Sequence, residues 1–207
     1  MVLRVDPLTC TAEDLAPAVA VLKPGGLVAF PTDTLYGVAV DPASARAVAA
    51  LFAWKGRPAH AAMPFVAASR AQVAAWCGLG DLSAALADVF WPGPLSLICD
   101  APASIVPAVH AGLGTVAIRV PAHRVARALV EAWGSPLPAT SANRSGAPAA
   151  IEAGGLEGIA APNLLIVDGG RAAGGSPSTI VDARQHPPRL VREGAIPWDR
   201  VLHSIQR

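Results

Sequence analysis

The chain has 207 residues and a mass of 21.0 kDa, which suits one domain over residues 1–207 with a substantial core. Hydrophobic residues make up 53% of the sequence and charged residues 15%, a composition that excludes a disordered protein. The formal net charge of +1 argues against a large nucleic-acid-binding surface.

Membrane, secretory and cysteine-based classes are also disfavoured. The nearest candidate for a membrane span, from Leu15 to Phe30, is interrupted by prolines, glycines and Lys23. The first residues lack the apolar core of a secretory signal, so we expect a cytoplasmic protein without a membrane segment. The three cysteines form no CxxC pair, which favours reduced core thiols over disulfides or a zinc site: Cys10, Cys77 and Cys99.

The first predicted elements are a strand and a helix. Leu27–Phe30 is a short apolar run after a Pro-Gly-Gly turn, which predicts a buried strand. Asp41 and Pro42 then predict the N-cap and first turn of a helix. We expect that helix to end near Lys55, because Gly56 follows it.

The rest of the chain continues the alternation of strands and helices. We predict strands over Met63–Ala67, Leu95–Cys99, Thr115–Val120, Leu164–Val167, Thr179–Val181 and Arg189–Val191. We predict helices over Ser69–Trp76, after a cap at Asp81, over about Ala122–Trp133, and near the end within Pro197–Arg207. Since some strand pairs have helices between them and others only turns, we expect an α/β fold with a mixed sheet.

The segment Pro31-Thr-Asp-Thr-Leu-Tyr-Gly37 is a candidate ligand site. It follows the first predicted strand directly, and ligands of α/β proteins tend to bind at the carboxyl ends of strands. Its hydroxyls and carboxylate are equally typical of a turn in which Thr and Asp side chains bind local backbone groups. The residue types alone leave both interpretations open.

Lys55-Gly-Arg57-Pro58 places two cations at a predicted helix end. Two cations on a stiff loop can bind phosphates or a carboxylate, although cations also favour a helix carboxyl terminus because of the helix dipole. Fourteen of the sixteen basic residues are arginine, so the use of lysine at this position suggests a need for a compact ammonium group.

Three later segments are rich in small polar residues or end in arginine. Thr140-Ser-Ala-Asn-Arg-Ser-Gly146 offers hydroxyl and amide groups that suit phosphate oxygens, but such loops are also ordinary turns. The other two are Gly175–Asp182 and Arg189–Gly194. The sequence has no GxxxxGK[ST], GxGxxG, HExxH or GxSxG motif.

The order of these segments carries more information than any one of them. PTDTLYG, KGRP, TVAIRVPAH, TSANRSG, PSTIVD and LVREG occur in this order. Together they resemble the YrdC/TsaC family of threonylcarbamoyl-AMP synthases, over about residues 25–196. The resemblance implies a twisted, largely antiparallel α/β sheet around a concave, positively lined cavity. It implies the single-domain type, without an appended C-terminal domain.

The resemblance also implies roles for residues at matching positions. Lys55 and Arg57 are expected to act in catalysis by binding the phosphates and the carbamate. Residues expected to bind the threonine substrate are Thr32, Arg119 and Ser178. Residues expected to bind the nucleotide are Lys55, Ser141, Asn143 and Arg192. No residue is expected to bind a metal directly.

The implied reaction condenses L-threonine, bicarbonate and ATP to threonylcarbamoyl-adenylate, with release of pyrophosphate, for modification of tRNA. Because every species is anionic, catalysis is expected to depend on positioning and charge neutralisation. Mg²⁺ is expected to accompany ATP. Other proteins are expected to transfer the threonylcarbamoyl group, and a weak contact of this chain with tRNA stays open.

One position departs from the pattern of some relatives. Val66 stands where those relatives carry a histidine, and His60 in the preceding loop is a conceivable substitute, although a surface histidine is the simpler interpretation. Two alternative functions are also compatible with parts of the sequence. One is a nucleotide- or RNA-binding module without turnover, which the small net charge disfavours where RNA is concerned. The other is a carbamoyl-transfer enzyme of hydrogenase maturation, which the lack of zinc-finger cysteines disfavours.

Overall fold

The computed structural model describes residues 1–56, 61–156 and 163–206. Over these residues the chain forms ten strands in one sheet and six α-helices. The strands are β1 (Val2–Arg4), β2 (Leu27–Pro31), β3 (Tyr36–Ala39), β4 (Phe65–Val66), β5 (Leu95–Asp100), β6 (Thr115–Arg119), β7 (Leu137–Ser141), β8 (Leu164–Asp168), β9 (Thr179–Asp182) and β10 (Arg189–Arg192). The helices are α1 (Ala16–Leu22), α2 (Ala45–Lys55), α3 (Arg70–Cys77), α4 (Asp81–Phe90), α5 (Arg124–Trp133) and α6 (Trp198–Ser204).

The strand order across the sheet is β1-β8-β2-β3-β7-β4-β6-β5-β9-β10. Among these neighbours, five pairings are antiparallel and four are parallel, which confirms the predicted mixed sheet. The central strand β4 has only two residues, yet it joins β7 to β6. Strands from both ends of the chain therefore belong to one continuous sheet.

Helices cover the sheet and complete its core. In β2 every residue is buried: Val28 and Phe30 face a cluster with α1 and α5, and Leu27 and Ala29 face a second cluster with α2. A third cluster joins α4 and α6 to β5 and β9. The fully buried β2 explains why its sequence is a continuous apolar run rather than an alternating one.

The predicted start of α2 was wrong. The helix begins at Ala45 after the N-cap Ser44, whose hydroxyl accepts a hydrogen bond from the Ala47 amide at 3.2 Å. The Asp41 carboxylate instead accepts from the Ala43 amide at 2.9 Å, so it closes a turn before the helix. The predicted end was correct, since Gly56 follows with φ +63°.

The start of α4 also differs from prediction, because Gly80 is its N-cap and Asp81 its first residue. The negative charge of Asp81 in the first turn still suits the helix dipole. Three strands, β1, β3 and β7, and the helix α1 were not predicted. Within the described residues, no helix is long and apolar enough to cross a membrane.

The C-terminal segment is attached to β9 through a buried threonine. The Thr179 hydroxyl accepts hydrogen bonds from the amides of Gly194 and Ile196, each at 3.0 Å. It donates to the Ile196 carbonyl at 2.6 Å. Space is also short here, because a Cβ on Gly194 would lie 2.2 Å from the Pro177 carbonyl oxygen. These contacts fix the chain that follows β10.

Candidate active site

A cavity of about 500 Å³ opens on the sheet. Its walls come from the turn after β2, from β4, β6 and β7, and from the β9–β10 region. Six of the residues predicted from sequence as site residues line it, or lie in direct contact with those that do. They are Thr32, Lys55, Arg119, Ser141, Ser178 and Arg192, and Asn143 joins them as a seventh through its contact with Ser141.

Strand β6 supplies a cavity wall because its side chains alternate. Thr115, Ala117 and Arg119 line the cavity, whereas Val116 and Ile118 are buried in the hydrophobic core. Because successive side chains of a strand point to opposite faces, one face of β6 packs in the core and the other lines the cavity. Arg119, the last residue of the strand, is brought beside the β2–β3 turn.

The guanidinium of Arg119 is buried among three groups of that turn. Its Nη1 donates to Asp33 Oδ1 at 2.6 Å, and its Nη2 donates to the hydroxyls of Thr32 at 3.1 Å and Thr34 at 3.2 Å. The side chains of Arg119 and Asp33 are 9% and 10% exposed. A buried arginine therefore has a buried counter-charge and two hydroxyl acceptors.

The electrostatics of the cavity favour an anionic ligand. Burial lowers the pKa of Arg119, and the neighbouring Asp33 carboxylate opposes this shift. Burial also lowers the pKa of Arg192, and the positive charge of Arg119 lowers it further. The two guanidinium groups are thus close enough to repel each other. An anion between them would relieve that repulsion.

The two threonine hydroxyls of the turn are not equivalent. Thr32 Oγ1 donates to the Leu35 carbonyl at 2.7 Å and accepts from Arg119 and from the Thr34 amide at 3.2 Å. A hydroxyl has one hydrogen and two lone pairs, so Thr32 is saturated by protein groups. Thr34 Oγ1 accepts from Arg119, and its hydrogen points to Thr32 or into the cavity. Of the two, Thr34 has the hydroxyl hydrogen that can turn toward a ligand.

Lys55, at the end of α2, does not line the cavity itself but contacts Ser141, which does. Its ammonium is within hydrogen-bond distance of the Ser141 carbonyl at 2.5 Å and hydroxyl at 3.2 Å. It also contacts the Asn143 carbonyl at 3.1 Å and Oδ1 at 2.7 Å. The lysine therefore binds the loop that follows β7 and brings three predicted nucleotide-binding residues together. A compact ammonium suits oxygens that converge from several directions.

Arg192 and Ser178 form a third group of polar side chains. Arg192 Nη2 donates to the Ser178 carbonyl at 2.8 Å and lies 3.4 Å from its hydroxyl. The Ser178 hydroxyl is 2.9 Å from that of Ser96, which is fully buried on β5. The resemblance assigned Ser178 to threonine and Arg192 to nucleotide. Their contact indicates that these two parts of the cavity adjoin.

Not every predicted residue is placed. Arg57 and His60 lie outside the described residues. Val66 lines the cavity and is paired in the sheet with Arg119, so it occupies a position beside the buried guanidinium. Sequence reasoning missed roles for Asp33 and Ser96. Ser96 had one detectable signal, since it is a polar residue inside the apolar run Leu95–Cys99.

Fold and site together define an α/β protein with a cavity whose charged lining residues are Arg119 and Arg192, an arrangement that suits an anionic ligand. The family model Sua5_yciO_yrdC, described as "Telomere recombination", matches residues 20–194. The chain belongs to this Sua5/YciO/YrdC family.

Individual relatives agree with this assignment. The threonylcarbamoyl-AMP synthase of Pyrococcus abyssi is 36% identical over 190 residues, which cover 91% of this chain and 56% of that protein. The threonylcarbamoyl-AMP synthase of Bacillus subtilis is 37% identical over 202 residues, covering 95% and 58%. The crystal structure of P. abyssi Sua5 complexed with L-threonine superimposes with a TM-score of 0.88 at 33% identity, covering 99% of this chain and 61% of that one. The chain thus spans less than two thirds of the length of these relatives.

Proposed function

We propose that the protein is a threonylcarbamoyl-AMP synthase, which forms threonylcarbamoyl-adenylate and pyrophosphate from L-threonine, bicarbonate and ATP. The observation that carries this proposal is one cavity lined by the buried Arg119, the more exposed Arg192 and two threonine hydroxyls. Both guanidinium groups line the cavity and favour an anionic ligand, and the reaction supplies carboxylates and phosphates. The names of the relatives supply the particular anions.

We assign the end of the cavity at the β2–β3 turn to threonine. Arg119 provides a positive charge for the amino-acid carboxylate, and Thr32 orients it by accepting one of its N–H groups. The nearby apolar surface of Val66 suits the methyl group of a threonine side chain. Ser178 closes this end from the opposite wall. The structure of P. abyssi Sua5 with L-threonine supports a threonine subsite in this fold.

We assign the nucleotide to the remaining part of the cavity. Lys55 holds Ser141 and Asn143 in one place, so their polar groups form a preorganised surface for phosphates. Arg192 lies at the boundary of the two parts, where the reacting carboxylate and the α-phosphate would meet. Arg57 is proposed to assist on the strength of the KGRP motif alone.

The chemistry has two steps. The deprotonated amine of threonine attacks the carbon of bicarbonate, a bond from nitrogen to carbon forms, and water is lost to leave N-carboxy-threonine. An oxygen of the new N-carboxylate group attacks the α-phosphorus of ATP. The bond between the α-phosphorus and the oxygen that bridges to the β-phosphate breaks, and pyrophosphate leaves. The negative charge that accumulates is balanced by Lys55, Arg119 and Arg192.

We propose that ATP enters as its Mg²⁺ complex. In the described residues no group of three His, Cys, Asp or Glu side chains is arranged to hold a metal, so the phosphates are the natural oxygen ligands. We further propose that residues 1–207 act as one domain, because strands from the whole length share one sheet. We also propose that the protein acts in the cytoplasm. Separate proteins are proposed to transfer the product to tRNA, since the net charge of this chain is only +1.

The proposal is tested by pyrophosphate release from ATP, Mg²⁺, bicarbonate and L-threonine. We expect release only when all four are present, and a product with the mass of threonylcarbamoyl-adenylate. Nucleotide binding measured on the same protein provides the control. Binding without threonine-dependent release would reject the synthase and favour a nucleotide-binding module.

A further inference from the structure

Asp33 is a buried carboxylate to which neither the sequence nor the proposed reaction gives a role. It lies between Thr32 and Thr34 in the β2–β3 turn, and its side chain is 10% exposed. A carboxylate is costly to bury, so its contacts have to compensate for the lost hydration. Those contacts connect three separate segments of the chain.

The two carboxylate oxygens of Asp33 are used by different partners. Oδ1 accepts from Arg119 Nη1 at 2.6 Å, and Oδ2 accepts from the Ala122 amide at 3.1 Å. Because a main-chain group holds the second oxygen, the carboxylate cannot follow the arginine if that side chain rotates. Asp33 therefore joins the β2–β3 turn to the end of β6 and to the segment that leads into α5.

This arrangement determines where the guanidinium of Arg119 points. The group is planar and rigid, so fixing Nη1 also fixes the plane in which Nη2 lies. Nη2 is then directed at the hydroxyls of Thr32 and Thr34, which face the cavity. Without Asp33, the positive charge of Arg119 would be buried without its counter-charge.

We propose that Asp33 is a positioning residue: through Arg119, and without touching the substrate, it sets how tightly the cavity binds the carboxylate of threonine. The proposal rests on the proposed function, because threonine is the ligand concerned. Small errors in the direction of a charged contact weaken binding strongly. Loss of Asp33 should therefore act first on threonine and much less on ATP, whose proposed contacts lie around Lys55.

The test compares Asp33→Asn with wild type. Asparagine keeps the size of the side chain but removes the charge and places an N–H group against one of the two donors. We expect the KM for threonine to rise about tenfold or more, as for a lost charge-assisted hydrogen bond, while the KM for ATP changes less than about twofold. The matched control is Asp41→Asn, another turn aspartate that accepts from a backbone amide but lies outside the cavity, and it should leave both values unchanged.

A second-site comparison separates positioning from direct contact. In an Arg119→Gln background, Asp33→Asn should raise the KM for threonine no further, because Asp33 acts through the arginine. An equal increase in both backgrounds would overturn the proposal, since it would mean that Asp33 contacts threonine itself. If Asp33→Asn does not fold, Asp33→Glu replaces it. Glutamate keeps the charge but displaces it by one methylene, and the KM for threonine should still rise several-fold with kcat nearly unchanged.

Calorimetric binding of threonine distinguishes the failure of this proposal from failure of the proposed function. A wild-type protein that binds threonine without releasing pyrophosphate would reject the synthase, and weaker threonine binding by Asp33→Asn would still support positioning. A synthase whose Asp33→Asn variant has wild-type threonine KM would reject positioning alone. A wild-type protein that neither binds nor uses threonine would overturn both.

Discussion

The hydroxyl of Thr179 provides the sharpest test of how the site is supported. Valine at this position keeps the shape of the side chain and removes the hydroxyl, which accepts from Gly194 and Ile196 and donates to Ile196. Two amides and one carbonyl then lose their partner in a place where Thr179 is fully buried. An unsatisfied buried group costs about 1–3 kcal/mol, so we expect Thr179→Val to lower the free energy of unfolding by about 3 kcal/mol after partial relaxation.

Urea unfolding, followed by tryptophan fluorescence and by circular dichroism, measures this loss. The midpoint should fall while the slope of free energy against urea stays constant, because the exposed surface is unchanged. Thr179→Ser keeps the hydroxyl, loses one methyl group, and should cost about 1 kcal/mol. A loss below about 1 kcal/mol for Thr179→Val, or a serine variant less stable than the valine variant, would refute the reasoning.

Three further predictions concern the cavity and its surroundings. Lys55→Met should raise the KM for ATP about tenfold or more. Lys55→Arg should not restore the wild-type KM, because a planar guanidinium fits the converging oxygens of Ser141 and Asn143 less well than an ammonium group does. Steady-state kinetics and binding of an ATP analogue measure both effects. Thr34→Val should raise the KM for threonine and lower the free energy of unfolding less than Thr32→Val does. The Thr34 hydroxyl accepts from Arg119, whereas the Thr32 hydroxyl also binds the Leu35 carbonyl and the Thr34 amide, so Thr32→Val should cost about 1–2 kcal/mol; kinetics and urea unfolding distinguish the two variants. Burial lowers the pKa of His123 below its usual 6.5, so His123 binds a proton at a higher pH in the unfolded chain than in the folded one. The free energy of unfolding should therefore fall as the pH drops through 6.5. Between pH 7.5 and 5.5, wild type should lose more stability than His123→Gln, and an equal loss in both would contradict this.

The fold was predictable where one local pattern dominates. The run Leu27–Phe30 became a strand buried on both faces, and the glycine after Lys55 ended α2 as expected. Strand β7 was missed because it contains Pro138, and a proline normally argues against a central strand. The neighbouring strand β4 is only two residues long, and Pro138 lies opposite Phe65. That exception depends on tertiary context, which a local pattern does not contain.

The candidate site was likewise predictable only where the information lies in a continuous segment of the sequence. The ordered motifs identified Thr32, Arg119 and Ser178, because each motif is a continuous segment. The roles of Asp33 and Ser96 depend on partners distant in sequence, at separations of 86 and 82 residues. Hydrogen-bond saturation of Thr32 was equally inaccessible from the sequence, since it depends on which donors the fold brings to one oxygen.

The origin of the cavity walls has a consequence for folding. The Asp33–Arg119 pair joins residues 86 positions apart, and Lys55 meets the loop after β7 over the same separation. Closing such long loops is entropically costly, so we expect these contacts to form late, after most of the sheet. The ligand-binding surface therefore arises in one cooperative event with the completion of the sheet. During refolding, affinity for the ligand of this cavity should therefore appear together with the last native structure.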